Sequence, residues 1–167
     1  MSKSKRKKSI PGSIAVHRRA SFDYDLGERF EAGLVLQGWE VKSIRDSKGN
    51  IAHAYVLLKQ GEAWLIGSQI TPLLSASTHV KTDPERSRKL LLHRSQLDNL
   101  VGCCERKGFT LVPTRLYWKK GTVKLEIALA KGKKNHDKRA AVKEREWQRT
   151  EGRALRSGTR TLRPPEE

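Results

Sequence analysis

The sequence is poor in cysteine, and the only two, Cys103 and Cys104, are adjacent. Neighbouring Cα atoms lie about 3.8 Å apart, which is shorter than the usual spacing across a disulfide, so a bridge between the two residues would be strained. Two thiols with no further cysteine nearby are also a poor zinc site. The pair therefore indicates reduced, partly buried thiols in a cytoplasmic protein.

Long apolar runs are missing as well. No stretch approaches the roughly 18 apolar residues of a membrane-spanning helix, so we predict no membrane partner. The basic run near the N-terminus has no apolar segment behind it, and we therefore expect no secretory signal.

Motifs of enzyme chemistry are also absent. The sequence contains no glycine-rich phosphate loop, no His-Glu-x-x-His zinc motif and no Gly-x-Ser-x-Gly nucleophile motif. The five histidines are scattered, and none has a second ligand at metal spacing. We predict a protein that is not an enzyme and that needs no metal or other cofactor.

Acidic residues are few: 18 Asp and Glu stand against 35 Lys and Arg, for a net charge of +17. The excess lies at the two ends, since residues 1–19 hold seven Lys and Arg without an acid and residues 131–163 hold twelve against four. Such a distribution is typical of basic arms that bind a polyanion, and it makes a nucleic acid the first candidate partner.

The middle of the chain alternates apolar and polar residues with the period of β-strands. Two pairs of strands flank short turns and predict hairpins, and Pro113 inside a strand predicts an edge or a bulge. The predicted strands are 30–36, 51–59, 63–70, 109–118 and 122–130.

Helices are predicted at 39–45 and 94–107, the second from an amphipathic stripe that ends at Gly108 as its C-cap. Ser95 and Asp98 resemble a capping box for this helix, and residues 75–88 form a predicted polar loop. Short, mostly antiparallel strands closed by one or two helices indicate a mainly β protein. We predict an OB-like antiparallel β-barrel with short flanking helices, with a sandwich as the alternative.

The basic C-terminal tail has little to bury. If it is helical from residue 136, four arginines (145, 149, 153 and 156) form one positive stripe whose members repel each other. Ordering such a segment without burial is unfavourable, so we expect disorder in the free protein. Phosphate contacts would remove the repulsion, and Trp147 could stack on a base. A solvated tail that adds only non-specific affinity is the alternative.

Several motifs resemble those of the SmpB family of SsrA-binding proteins. The resemblance covers the chain from about residue 14 to residue 149. The segments that carry it are FEAG (30–33), GWEVKS (38–43), RKLLLH (88–93), LYWKKGTVKLEIALAKGKK (116–134) and HDKR…KEREWQR (136–149). The resemblance implies an OB-like barrel that binds the tRNA-like domain of transfer-messenger RNA (tmRNA, SsrA RNA). With that RNA it would enter stalled ribosomes for trans-translation, and elongation factor Tu could join through the RNA complex.

The resemblance also implies RNA-contacting residues in the barrel. Glu31 would accept hydrogen bonds from bases or 2′-hydroxyl groups, although a local salt bridge to Arg29 or Lys42 is the alternative. For Leu91 the alternative is a core position, and His17 departs from the asparagine common in the family. The implied RNA-binding residues are Glu31, Glu40, Lys42, Ser43, Arg45, Leu91, His93, Lys131, Lys133 and Lys134.

The tail would form a helix in the decoding centre and in the empty messenger channel of the small subunit, against its ribosomal RNA. The residues implied there are His136, Asp137, Lys138, Arg139, Lys143, Arg145, Trp147, Arg149 and Leu155. The organisation we predict is a basic arm at 1–12, the barrel at 13–131 and the tail at 132–167. A structural ribosomal protein with basic arms that bind ribosomal RNA is the competing function.

Overall fold

The computed structural model describes residues 12–74 and 82–156, with side chains in these ranges except at 135–138, 141 and 152–156. Most of the predicted N-terminal arm and the end of the tail therefore lie outside the described residues. These ranges contain nine strands: β1 Ser13–Val16, β2 Tyr24–Leu34, β3 Gly49–Asn50, β4 Tyr55–Lys59, β5 Glu62–Ile66, β6 Gln69–Ile70, β7 Arg88–Leu91, β8 Thr110–Lys119 and β9 Thr122–Gly132. The helices are α1 Ala20–Asp23, α2 Gly38–Arg45, α3 Arg94–Lys107 and α4 Asn135–Arg156.

Six of the strands close into an antiparallel barrel. The hydrogen-bonded order is β8–β4–β5–β7–β2–β9, and β9 also pairs with β8, from Thr122 to Ala130, which closes the barrel. Strand β1 adds to the outer edge of β8, while β3 and β6 form a separate two-stranded ladder. The predicted antiparallel barrel with flanking helices is confirmed. The alternative of a β-sandwich is wrong, because the six strands form one closed sheet.

Both predicted hairpins are confirmed, and their turns explain their registers. Gln60 and Gly61 connect β4 to β5 with φ values of 53° and 69°, and Lys120 and Gly121 connect β8 to β9 with 49° and 75°. Two successive residues with positive φ are typical of the type I′ turn, whose twist matches that of the flanking strands.

Several strand boundaries differ from the prediction. Strand β2 begins at Tyr24, well before residue 30, and β7 (Arg88–Leu91) forms where no strand was predicted. The predicted strand 63–70 is broken at Gly67, where φ is 70° and a Cβ atom would lie 2.9 Å from the His53 carbonyl oxygen. The predicted irregularity at Pro113 is confirmed, because the β8–β9 register shifts between Pro113 and Arg115.

The barrel interior is filled by the inward-facing alternate residues of the strands and by one face of α3. Leu125 and Ile127 of β9 are fully buried, as is Leu100 of α3. Burial of each such side chain contributes about 1.5–3 kcal/mol relative to exposure. The predicted α3 is confirmed over its full length, and Gly108 ends it in the left-handed conformation.

The predicted cap of α3 was wrong. His93 is the N-cap residue, and the side chain of Gln96 accepts a hydrogen bond from its N–H at 3.4 Å. Ser95 and Asp98 are already inside the helix, where Asp98 forms an exposed ion pair with Arg94. An N-cap histidine was not anticipated, because serine and aspartate are the more usual residues at this position.

Helix α1 covers only part of the barrel's outer surface. Ala20 packs there with Val112 and Ala130 in a small second core, against which Tyr24 and Leu26 are partly buried. The remainder of the outer face of β2, β9 and β8 is not covered by α1. Because alternate residues of these strands point outward, their polar side chains gather on this open area.

Helix α4 spans Asn135–Arg156, and the disorder expected for the free tail stays a prediction. Polar contacts lie along the helix: Gln148 donates to Glu144 at 2.8 Å, and the Thr150 hydroxyl donates to the Glu146 carbonyl at 2.9 Å. Arg145 also lies over the ring of Phe22 in α1, 5.6 Å from its centroid. Within the described ranges, no helix is both long and apolar enough to cross a membrane.

Candidate nucleic-acid interface

Two carboxylates lie side by side on the open outer face. Glu31 of β2 pairs directly with Glu126 of β9, which in turn pairs with Arg115 of β8. Like charges opposite each other on adjacent strands repel. Each carboxylate is therefore stabilised by its own cationic and hydrogen-bonding side chains. These form two groups, one around Glu31 and one around Glu126.

The first group surrounds Glu31. The Tyr117 hydroxyl donates to Oε2 at 2.5 Å and Lys119 Nζ donates to the same oxygen at 2.7 Å, while Lys124 Nζ lies 4.0 Å from Oε1. The hydrogen bonds from Lys119 and Tyr117 hold the pKa of Glu31 below its usual range. Partial burial and the bond to Glu31 raise the pKa of Tyr117 to about 12. The carboxylate is thus ionised and fixed in orientation.

The second group surrounds Glu126. Its Oε1 accepts from the Thr114 hydroxyl at 2.7 Å and from Arg29 at 3.3 Å, and Arg115 lies 3.6 Å from Oε2. The Arg115 guanidinium also lies 4.6 Å from the centroid of the Tyr117 ring, which is a cation–π distance. Arg115 therefore joins the two groups into one surface.

Leu91 belongs to the same face. It lies opposite Gly33 of β2, and a Cβ atom at Gly33 would be 3.3 Å from the Leu91 Cβ. The next pairs along this row are Gly33 with Lys124 and Lys124 with Tyr117. Leu91 is 54% exposed, so the core alternative for this residue is wrong. The predicted residues Glu31 and Leu91, far apart in the sequence, thus share one open surface, which we call the barrel face: Arg29, Glu31, Leu91, Arg115, Tyr117, Lys119, Lys124 and Glu126.

Two predicted RNA contacts, Glu40 and Ser43, lie in the interior with 0% exposure. The Glu40 carboxylate accepts from the N–H of Gln37 at 2.6 Å, from Arg86 at 2.5 Å and from the buried Arg88 at 2.9 Å. Burial by itself would raise the pKa of Glu40, but these hydrogen bonds outweigh it and lower the pKa. This arrangement fixes the start of α2 on the barrel, so the prediction of direct RNA contact is corrected for both residues.

The other predicted contacts on α2 and α3 are exposed. Lys42 and Arg45 lie on the surface of α2, and His93 lies at the start of α3. Their side chains are accessible, as phosphate or base contacts require, and their binding to RNA stays a prediction.

The lysines at the end of β9 and directly after it differ from one another. Lys131 is exposed opposite Asp25. Lys133 ties the end of β9 to α1, because its N–H donates to the Asp23 carbonyl at 3.1 Å and its Nζ donates to the Ser21 carbonyl at 3.0 Å. Lys134 is exposed. Lys133 therefore has a structural contact that the sequence did not predict.

In the tail, Trp147 is half-buried, while four predicted channel residues are exposed: Arg139, Lys143, Arg145 and Arg149. Arg145 lies over the ring of Phe22, so this arginine of the predicted stripe faces α1. The backbones of His136, Asp137, Lys138 and Leu155 lie in α4, and their side chains lie outside the described residues.

Sequence reasoning missed most of the barrel face. Tyr117, Lys119 and Lys124 lie within a segment quoted for its resemblance, yet none was assigned a role. The available signal was the alternation of β8 and β9, which places these residues on the face opposite Leu125 and Ile127. The pairing of β2 with β9 could not be derived from that alternation, because it depends on the closed barrel.

The chain is similar to known proteins over most of its length. The SmpB protein family model matches residues 14–157. The SsrA-binding protein of Stenotrophomonas maltophilia strain R551-3 is 60% identical over 148 residues, which is 89% of each chain. That of Xylella fastidiosa strain 9a5c is 58% identical over 152 residues, or 91% of each.

A solved structure is similar as well. It is described as "tmRNA-SmpB: a journey to the center of the bacterial ribosome", and it matches with a TM-score of 0.60 and 40% identity over 76% of this chain and 92% of that chain. The family model covers most of the sequence, and curated relatives match at well above half identity. The chain is therefore a member of the SmpB family.

Proposed function

We propose that this protein is a ribosome-rescue factor that binds the tRNA-like domain of tmRNA and carries it into stalled ribosomes for trans-translation. The observation that supports this most directly is the barrel face, an open sheet surface on which the carboxylates of Glu31 and Glu126 are held among four cations. Family membership favours this function over that of a structural ribosomal protein. Such a factor acts in the cytoplasm, and its work is binding rather than catalysis.

The barrel face combines two kinds of RNA contact. Arg29, Lys119 and Lys124 are charged donors suited to phosphates, which dominate affinity. Glu31 and Glu126 are hydrogen-bond acceptors. Phosphates have no proton to donate to them, whereas base amino groups and 2′-hydroxyl groups do. A face with both discriminates a shaped RNA from an arbitrary polyanion.

The second part of the proposal assigns the ribosome to the tail. Helix α4 leaves the barrel directly after Lys134 and exposes Arg139, Lys143 and Arg149. A basic helix of 22 residues is about 33 Å long and suits a channel lined by ribosomal RNA. We propose that α4 occupies the decoding centre and the empty messenger channel. Elongation factor Tu would bind the RNA rather than this chain.

Cross-linking tests the proposal. The intact protein is cross-linked in cells to its RNA, and the recovered RNA is sequenced. We expect tmRNA from the barrel face and small-subunit ribosomal RNA from α4. Recovery of ribosomal RNA alone, at one copy of the protein per salt-washed subunit, would instead establish a structural ribosomal protein.

A further inference from the structure

Four apolar side chains lie together on the outside of the barrel, on the hairpin of β4 and β5. Tyr55 and Leu57 alternate along β4 and are 51% and 42% exposed. Their directly opposed partners on β5 are Ile66 and Trp64, which are half-buried. Opposed side chains on one face of a sheet are within contact of each other, so the four form one patch, which we call the hairpin face. Single exposed apolar residues are common, whereas a contiguous patch marks an interaction surface.

A cleft of about 250 Å³ adjoins the hairpin face at Leu57. Strand β4 pairs with β5 through all five of its residues but with β8, among the described residues, at Val56 alone, so a gap is left between β4 and β8. The gap is bordered by α3 and is lined mainly by apolar side chains, among them Leu58, Val101 and Phe109. Sites for drug-sized ligands are about 300–1,000 Å³, so this cleft suits one or two apolar side chains of a larger partner.

The charge of the cleft separates the classes of partner. Glu105 of α3 lines it, whereas no lysine or arginine of the described residues does so. Phosphates dominate the affinity of proteins for RNA and require cations, so this surface is unsuited to RNA, in contrast to the barrel face. Two copies of the chain, each with a net charge of +17, repel each other. A protein segment that combines apolar side chains with a cation complements the site.

We propose that the hairpin face and its cleft bind a segment of a ribosomal protein, which inserts an apolar side chain into the cleft and pairs an adjacent lysine or arginine with Glu105. Proteins that bind ribosomal RNA neutralise phosphates with lysine and arginine, so the ribosome offers basic segments of this kind. The site lies on β4, β5 and α3 and leaves the barrel face accessible to tmRNA. This inference rests on the proposed function, because it adds a second partner from the same particle.

Cys104 provides a reporter inside the cleft. It lines the cleft and is partly exposed, whereas Cys103 lies 3.7 Å from Asn99 Oδ1 and is not among the lining residues. Burial raises the pKa of the Cys104 thiol, so the uncharged thiol adds to the apolar wall and reacts with electrophiles at mildly alkaline pH. The Cys103→Ser protein keeps Cys104 as its only thiol, and the Cys104→Ser protein keeps Cys103 as the matched control.

Alkylation by iodoacetamide tests whether the cleft is covered. The rate is measured for each single-thiol protein alone, with the tRNA-like domain of tmRNA, and with purified stalled ribosomes and tmRNA. We expect the ribosomes, but not the RNA domain, to slow the alkylation of Cys104 about ten-fold and that of Cys103 less than about two-fold. Equal rates for Cys104 in all three states would overturn the proposal.

A photo-cross-linker identifies the class of the occupant. p-Benzoylphenylalanine replaces Leu57 in the full chain, and the same replacement of Val16, which is 46% exposed on β1, is the control. On the purified ribosomes, the Leu57 probe should join a ribosomal protein beside a lysine or arginine, and the Val16 probe should not join that protein. A product that ribonuclease cleaves would assign the hairpin face to RNA, and a product of two copies of this chain would assign it to a dimer. Either product would overturn the proposal.

Charge reversal tests the contribution of Glu105. Glu105→Lys should weaken binding to stalled ribosomes about ten-fold relative to Asp98→Lys. Asp98 lies two turns earlier on α3 and outside the cleft, so its variant carries the same change of net charge. Both residues are exposed, and both variants should keep the melting transition of the wild type and its affinity for the tRNA-like domain. Equal ribosome binding by the two folded variants would contradict the proposed pairing.

Failure of this inference and failure of the proposed function give different results. A wild-type protein that binds the tRNA-like domain and supports tagging, while Cys104 stays reactive on the ribosome, would reject the docking site alone. Absence of binding to the tRNA-like domain would reject the proposed function, whatever the reactivity of Cys104.

Discussion

The Tyr117 hydroxyl donates a 2.5 Å hydrogen bond to Oε2 of Glu31, across the intervening strand β9. Lys119 Nζ lies 2.7 Å from the same oxygen, whereas the nearest cation to Oε1, Lys124 Nζ, is 4.0 Å away. One oxygen of the carboxylate therefore accepts two close hydrogen bonds within the protein, whereas the other has only the more distant Lys124. We infer that Tyr117 positions Glu31 for contact with RNA.

This relationship predicts a coupled effect on RNA affinity. Tyr117→Phe removes one hydrogen bond without a change of shape and should weaken binding of the tRNA-like domain about three- to ten-fold. The same substitution in a Glu31→Gln background should cost little more, because the group that it orients has lost its charge. Fluorescence titration of the four proteins measures the coupling. Tyr55→Phe, which changes an exposed tyrosine of β4, is the control, and full additivity of the two losses would contradict the positioning role.

The same contact predicts a delayed tyrosine titration. The pKa of Tyr117 is raised to about 12 by burial and by Glu31. Since ionisation of Tyr117 is harder in the folded state, its contribution to stability is complete below pH 10 and is lost as the pH rises toward 12. The difference in ultraviolet absorbance between wild type and Tyr117→Phe during a pH titration should show the ionisation of Tyr117. In the Glu31→Gln protein this ionisation should occur at lower pH. A step that Glu31→Gln leaves in place would show that the carboxylate does not act on Tyr117.

Substitution of Glu40 should lower the free energy of unfolding of the protein in the absence of RNA. Glu40→Gln leaves buried Arg88 without its counter-ion, and the loss of one partner of a buried ion pair costs about 3–5 kcal/mol. Glu62→Gln is the matched control, since the Glu62–Lys89 pair is exposed and is worth at most about 1 kcal/mol. Chemical denaturation at pH 7 measures both. Equal losses in the two variants would contradict the assigned role of Glu40.

The pH dependence of that difference has a definite sign. The pKa of Glu40 in the folded protein lies below its usual 4.5. Its contribution to stability is therefore fully present above pH 4.5 and is lost as the pH falls through the lowered folded value. The gap between wild type and Glu40→Gln should be constant from pH 7 to pH 5 and should narrow below that range. A gap that widens in acid would show that burial dominates the Glu40 pKa instead.

Local patterns predicted the elements whose contacts are local. Helix α3 and the two hairpins follow from residues within about twenty positions of each other, and their turns use residue pairs that accept positive φ. Strand β1, four residues long, and β7, bounded by a polar loop, carry too little alternation to be recognised. They are stabilised as strands by their neighbours β8, β5 and β2.

Long-range partners decided the remaining errors. Glu40 resembles an exposed acid on a short basic helix, but its partners Arg86 and Arg88 lie 46 and 48 positions away. Glu126 lies opposite Glu31 only because the barrel closes β9 against β2. The family resemblance predicted the RNA partner and the role of Glu31. The residues that surround Glu31 were identified only from the folded chain.

Truncation after Lys134 tests the central claim most directly, because it removes α4 and keeps the contacts of Lys133 with α1. The shortened protein should retain the barrel's melting transition and bind the tRNA-like domain of tmRNA within about two-fold of the intact chain, a difference of about 0.4 kcal/mol. Tagging of stalled nascent chains should be lost. Full-length Glu31→Gln serves as the reverse control, with weakened RNA binding and an intact tail. A folded truncation that loses RNA binding together with tagging, or one that keeps both, would contradict the division of labour between the barrel face and the tail.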